Sequence, residues 1–206
     1  MIRITYLCEP IRKRMTTHWL FNEVATITER NIQLLKGKFG SLSKAQLNWK
    51  PSKNVWSIAE IFAHLNGYAA YYHPAFFDKM TKTRFTTPKE VFNSSPLGRS
   101  AWQSMKLGKQ QNVKRKFNTP KNYNPHLTNS LLDGEELEQF LSRQYELLHV
   151  LEKAVAVNLR KVKVPISISK IIRLRLGDAL LFVAYHNERH MQQAINLTKM
   201  PNFPKK

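Results

Sequence analysis

The sequence predicts an all-α fold, a four-helix bundle with one long crossover connection, on two observations. Four stretches of the 206-residue chain carry apolar side chains at helical spacing with charge on the opposite side. Between the second and the third, from Thr83 to Leu132, the chain is rich in Pro, Asn, Ser and Lys and lacks such spacing. Long connections of that kind are uncommon inside compact domains, but one crossover is an established variant of the bundle.

The first helix is expected from about Thr17 to Lys38, with Leu20, Val24, Ile27, Leu34 and Leu35 inward and Gly37 and Gly40 closing it. Ser41 to Leu47 reads as a turn or helical hook before Pro51. In Trp56-Ser57-Ile58-Ala59-Glu60, Ser57 is an N-cap and Glu60 the third helical residue, a capping box that opens the second helix. Ile61, Phe62, Leu65 and Ala69 continue its apolar face. Pro74 cannot donate to the carbonyl four residues back, so a kink or break is expected near Tyr72 to Pro74, with the helix resuming to about Met80.

Within the crossover only Ala101 to Lys106 suggests a brief helix. The third long helix follows Asp133-Gly134; its acidic first turn, Glu135, Glu136 and Glu138, complements the helix dipole, and it runs on through Val155. Val162 to Ile172 alternates partly and contains Pro165, so a connector or short extended piece is expected. The fourth helix runs from about Asp178 to Lys199 and stops before Pro201. Neither an internal repeat nor a sustained heptad pattern is present. One domain spanning residues 1–206, with its core at about 17–198, accounts for the whole chain.

Composition excludes several classes. No apolar run approaches the roughly 20 residues of a membrane span, and Met1 to Cys8 lacks a signal-peptide core, so a cytoplasmic protein without membrane contact is expected. Cys8 is the single cysteine, which rules out an internal disulfide or a Cys-rich zinc site and leaves His, Asp and Glu as metal ligands. The net charge is +19. From Lys82 to Lys121, residues Arg84, Lys89, Arg99, Lys106, Lys109, Lys114, Arg115 and Lys116 face the single acid Glu90; a second acid-free block runs from Arg160 to Arg175. Such surfaces attract polyanions. They lack the interleaved aromatics of single-strand binders, and no nucleic-acid motif accompanies them, so nucleic-acid binding is not favoured.

Seven histidines are present. His186 and His190 stand at i, i+4 on the fourth helix, so both rings project from one face and can reach a single ion. The intervening letters are not those of the zincin His-Glu-x-x-His. Glu188 lies about 200° round the helix from His186 at roughly 100° per residue, pointing away from any ion the pair holds, so a metalloprotease is excluded. His64 shares a face with Ile61 and Leu65; on periodicity alone it reads better as a core histidine hydrogen-bonded to a backbone carbonyl. Gln193, one turn beyond His190, suits a contact to a ligand's partner or to substrate. Trp56 and Tyr68 read as core or pocket wall, Arg189 as a packing or pairing group, and His18, His73, His126 and His149 as bystanders.

Two motifs go further. Leu42-Ser43-Lys44-Ala45-Gln46-Leu47 followed by Trp56-Ser57-Ile58-Ala59-Glu60-Ile61-Phe62-Ala63-His64-Leu65 resembles the opening motif of the DinB-like superfamily, which includes YfiT-type proteins and bacillithiol transferases. Gly177-Asp178-Ala179-Leu180 and His186-Asn187-Glu188-Arg189-His190-Met191-Gln192-Gln193 resemble its closing motif, His-x-x-Arg-His-x-x-Gln. The resemblance implies a four-helix bundle with a crossover, a three-histidine site mapping onto His64, His186 and His190, a divalent ion such as zinc or nickel, and a homodimer.

Three imidazoles leave a coordination position open, the pattern of a catalytic site. The resemblance implies a metal-dependent enzyme joining a low-molecular-weight thiol to a small electrophilic substrate. A hydrolase using metal-bound hydroxide is the alternative, with Glu60 as its only candidate proton acceptor. A non-enzymatic basic binding protein is the third reading.

Overall fold

The computed structural model describes residues 15–109, 112, 118–127, 132 and 134–205. Met1–Arg14 with Cys8, the basic residues Lys114, Arg115 and Lys116, and Asp133 lie outside them. The described chain is mostly helical.

Helix α1 spans Thr17–Leu34, with the Thr16 hydroxyl accepting from the Trp19 N–H at 3.0 Å. It does not run as an α-helix to Lys38. A single π-turn over Leu35–Phe39 takes its place, buries Leu35 and Phe39, and ends at Gly40 in right-handed conformation. The expected hook is helix α2, Lys44–Asn48, opened by a Ser43/Gln46 capping box. Helix α3 spans Ile58–Thr81 and opens on the predicted capping box: Ser57 Oγ accepts from the Glu60 N–H at 3.2 Å, and the Glu60 carboxylate accepts from the Ser57 N–H at 2.7 Å. Of the kink or break expected near Tyr72 to Pro74, the break does not occur: α3 continues through Pro74. Ala70, whose carbonyl loses its donor to Pro74, is exposed, where water can replace that donor.

The crossover contains more structure than its composition suggests. Helix α4 is Pro96–Met105, starting well before Ala101, with Ser95 as N-cap and Pro96 in the first turn. Two 3₁₀ turns follow, Lys121–Tyr123 and Pro125–Leu127. Helix α5, Glu135–Ala154, begins after Gly134, which adopts φ +100°. The expected connector is an antiparallel hairpin of β1, Lys163–Ile166, and β2, Ser169–Arg175. It corrects the all-α expectation. Pro165 pairs with Arg173 and Ile166 with Ser169, so residues 170–172 stand outside the ladder as a wide bulge, which interrupts the alternation the sequence would otherwise display. Helix α6 spans Leu176–Thr198.

Helices α3 and α1 each pack on both α5 and α6, and α4 lies against α6. The interior is divided. One apolar cluster gathers Ile58, Ile61, Phe62 and Leu65 of α3 with Met191, Ala194 and Leu197 of α6. The other gathers Tyr68, Tyr72 and Phe76 of α3 with Leu180, Ala184 and Tyr185 of α6. Both helices change cluster at the same level, and buried polar groups occupy the seam: His64, His186, Asn187, Arg189 and His190, with Asn31 and Gln144 nearby on α1 and α5.

Candidate metal centre

The opening capping box fixes where α3 starts and so sets His64 on the face turned to α6. The i, i+4 spacing on α6 does the rest for His186 and His190. The three side chains are buried, with 4, 5 and 8 % of their surface exposed in that order. One nitrogen from each lies within 4.8 Å of the other two. Ring centroids are 5.1 Å apart for His64 and His186, 4.7 Å for His64 and His190, and 4.6 Å for His186 and His190.

His64 combines the two readings its position allows. Its Nδ1 donates to the Tyr123 carbonyl at 2.7 Å, as a core histidine would, and this pins the tautomer so that Nε2 carries the lone pair. That Nε2 stands 3.3 Å from Nε2 of His186. Two nitrogens each about 2.0–2.1 Å from one zinc-sized ion at a tetrahedral angle stand about 3.3 Å apart. The donor set fits as well. Burial lowers the His64 pKa to about 4, against a smaller rise from the Tyr123 carbonyl. Burial, then the positive charges that His190, His64 and Arg189 would carry, holds His186 well below 6.5. Burial, then His64 and Arg189, does the same at His190, partly offset by Gln193. Three neutral imidazoles at neutral pH are ligands ready for a divalent cation, and the group could hold one.

The depressed pKa values have a consequence for stability. Between pH 6.5 and about 4 the unfolded histidines take up protons that the buried ones refuse, so stability is fully present above pH 6.5 and is lost as pH falls through that window. For His64 alone the shift corresponds to about 3 kcal/mol. Urea midpoints of metal-free protein should drop between pH 7 and pH 4.5, and less steeply in His64→Gln, which removes one of the three groups. A slope unchanged by that substitution would refute the assignment.

Around the imidazoles stands an aromatic wall. The Trp56 ring is 4.8 Å from His64 and 6.1 Å from His190, Tyr68 is 4.4 Å from His186, and Phe182 lies parallel to His186 at 5.7 Å. These groups line a cavity of about 490 Å³ that opens over the histidines and also takes in Met105, Arg189, Gln193 and residues 118–120 of the crossover. His190 Nδ1 and Gln193 Oε1 are both buried without a partner at hydrogen-bond geometry, close enough for Gln193 to raise the His190 pKa.

Glu188 points away from the cluster and pairs with Arg30 of α1. Glu60 is committed elsewhere: besides the capping box it binds Lys50 Nζ at 2.5 Å and faces His126 Nε2 at 3.6 Å. His73 is buried against Glu146 at 3.0 Å, His18 bonds Asn22, and His149 bonds Glu152, all away from the three-histidine group. His126, however, sits 6.2 Å from the Trp56 ring. Tyr123 and His126 are the site neighbours that sequence reasoning misses, because they lie in aperiodic chain. Gly67 leaves room for Tyr123: a β-carbon there would meet the Tyr123 ring at 3.3 Å.

No curated protein and no solved structure matches the chain. At the level of families the comparison is positive and takes in His64, His186 and His190: the family model of the DinB superfamily matches residues 27–194, and the chain belongs to that superfamily.

Proposed function

We propose that the chain is a single-domain, four-helix-bundle enzyme that uses a divalent ion, zinc or nickel, held by His64, His186 and His190, to transfer a low-molecular-weight thiol to an electrophilic substrate. One observation carries this reading: among its described residues, the cavity over the three imidazoles is lined by no Asp or Glu. A divalent ion held there supplies Lewis acidity that lowers the pKa of a thiol or a water brought to it.

Hydrolysis would also call on a proton acceptor beside the reacting atoms, and Glu60, the expected candidate, is held by Ser57 and Lys50. A thiol needs less help, since its own pKa starts at about 8.5. Trp56, Tyr68, Phe182 and Met105 offer an apolar wall for an electrophile and exclude water around it. Arg189 brings positive charge to the same lining, which suits an anionic thiol. The Tyr123 carbonyl holds the His64 ring in orientation while substrate enters.

The test incubates zinc- or nickel-loaded protein with a panel of small thiols and a chromogenic electrophile, beside His186→Ala. Thiol-dependent consumption well above that of the variant is expected. Turnover of esters without thiol would overturn the transfer reading in favour of hydrolysis.

A further inference from the structure

The β1–β2 hairpin has a surface unlike the rest of the molecule. From Lys153 to Gly177 the chain carries seven basic residues and no acid. Arg160, Lys161, Lys163, Arg173 and Arg175 form no ion pair with any described residue. Lys163 and Arg175 stand directly opposite each other across the ladder, an arrangement of like charges that destabilises a strand pair. Burial and the neighbouring Arg175 charge hold the Lys163 pKa below its ordinary value. Asp178 acts on Lys163 from a distance, but among the described residues no carboxylate pairs with the hairpin's cations.

Its tip is apolar. Ile168, Ile171 and Ile172 are 65, 90 and 44 % exposed, the last two in the bulge outside the ladder. The tip is held in place. The Tyr71 hydroxyl donates to the Ile166 carbonyl at 3.0 Å, the Ser167 N–H donates to the Tyr72 hydroxyl at 3.4 Å, and the Val164–Leu174 pair is buried beneath. Single exposed isoleucines need no explanation, but three within five residues of an anchored, acid-free hairpin do.

We infer that this hairpin seats the protein on the surface of an anionic lipid bilayer, the three isoleucines entering the acyl boundary and the basic strands meeting the head groups. Along β1, at about 3.3 Å per residue, the Pro165–Arg173 and Lys163–Arg175 pairs lie roughly 3–10 Å behind the Ile166–Ser169 pair at the tip. Interfacial elements bury their apolar groups about 5–10 Å deep, so the cations fall at head-group level. A second copy of the chain fits less well, because a two-fold contact would set the basic patch against itself. Single-stranded nucleic acid would be met by aromatic stacking groups, and a duplex would leave the exposed isoleucines without a role. No described helix is long and apolar enough to cross a membrane; the contact inferred lies on the bilayer surface.

The test is co-sedimentation of the full chain with vesicles of phosphatidylcholine alone or mixed equally with phosphatidylglycerol. Binding to the anionic vesicles only, weakened by salt, is expected. The double variant Ile168→Ser/Ile171→Ser keeps the charge and changes two exposed positions, so circular dichroism should be unaltered while the partition coefficient falls about tenfold or more. Failure to bind anionic vesicles, or equal binding to both compositions, would overturn the inference. So would a double variant that binds like wild type, since that assigns the attraction to overall charge. A dimer that dissociates in the double variant by sedimentation velocity would make the tip a self-association surface instead.

Discussion

Wild-type protein purified without a tag should retain about one equivalent of zinc or nickel, and His186→Ala should retain none, by plasma mass spectrometry. His186 is one corner of a near-equilateral triangle of imidazoles: its Nε2 is 3.3 Å from that of His64, and its ring is 4.6 Å from that of His190. Removing it leaves two imidazoles and an opening on the cavity side. Loss of an outer partner already costs about 10–100-fold in metal affinity, so loss of a ligand should cost more than about 100-fold in a competition titration. His64→Ala should behave alike and also leave the Tyr123 carbonyl without its donor. Added metal should raise the melting temperature of the wild type and leave both variants unmoved. Wild-type protein that neither contains metal nor takes it up would refute the three-histidine assignment and, with it, both enzymatic readings.

Asp178→Ala should lower stability by about 3 kcal/mol, because it removes a charge-assisted hydrogen-bond acceptor from a buried position. Asp178 is 0 % exposed in the first turn of α6. Its Oδ2 accepts from both the N–H and the hydroxyl of Ser95 at 3.0 Å, and the Ser95 hydroxyl accepts in turn from the Gly98 N–H at 2.9 Å. One carboxylate therefore serves the positive ends of two helices, α4 and α6. Gly98 is the condition for this approach, since a β-carbon there would overlap the carboxylate. Gly98→Ala should cost about 1–3 kcal/mol by overpacking. In an Asp178→Ala background the same substitution should cost less, because the carboxylate is gone and only the β-carbon of residue 178, at 2.6 Å, still crowds the position. Urea unfolding of the two single variants and the double variant measures this coupling. Additive costs would mean that the two residues do not share a contact.

Where local chemistry specifies a feature, the sequence displays it. The Ser57/Glu60 box locates the start of α3, and the spacing of His186 and His190 places both on one face of α6. The angular offset of Glu188 anticipates its turn away from the cluster, where it meets Arg30. Features that depend on distant chain are hidden. Helix α4 is short, and its polar letters mask a start signal, Ser95-Pro96, that is readable only once the helix is known. The hairpin shows in the sequence only as a connector or short extended piece, because Pro165 and the bulge interrupt its alternation. Tyr123 contributes a backbone carbonyl to the site, and a carbonyl is common to every residue, so nothing in the sequence marks it. The third histidine is intermediate: the pattern of α3 puts His64 inward, but only the packed fold shows that Nδ1 and Nε2 serve different partners.

The seam between the two apolar clusters bears on how the chain is tied together. His64 and His186 are 122 residues apart in sequence. An ion shared between them would cross-link α3 to α6 at the level where hydrophobic contact is interrupted. Closing so long a loop removes a large share of the unfolded chain's freedom, by the same entropic argument that applies to a disulfide, in a protein whose single cysteine allows none. The polar layer thus marks the place where one bound cation would join the two apolar clusters into one cooperative unit.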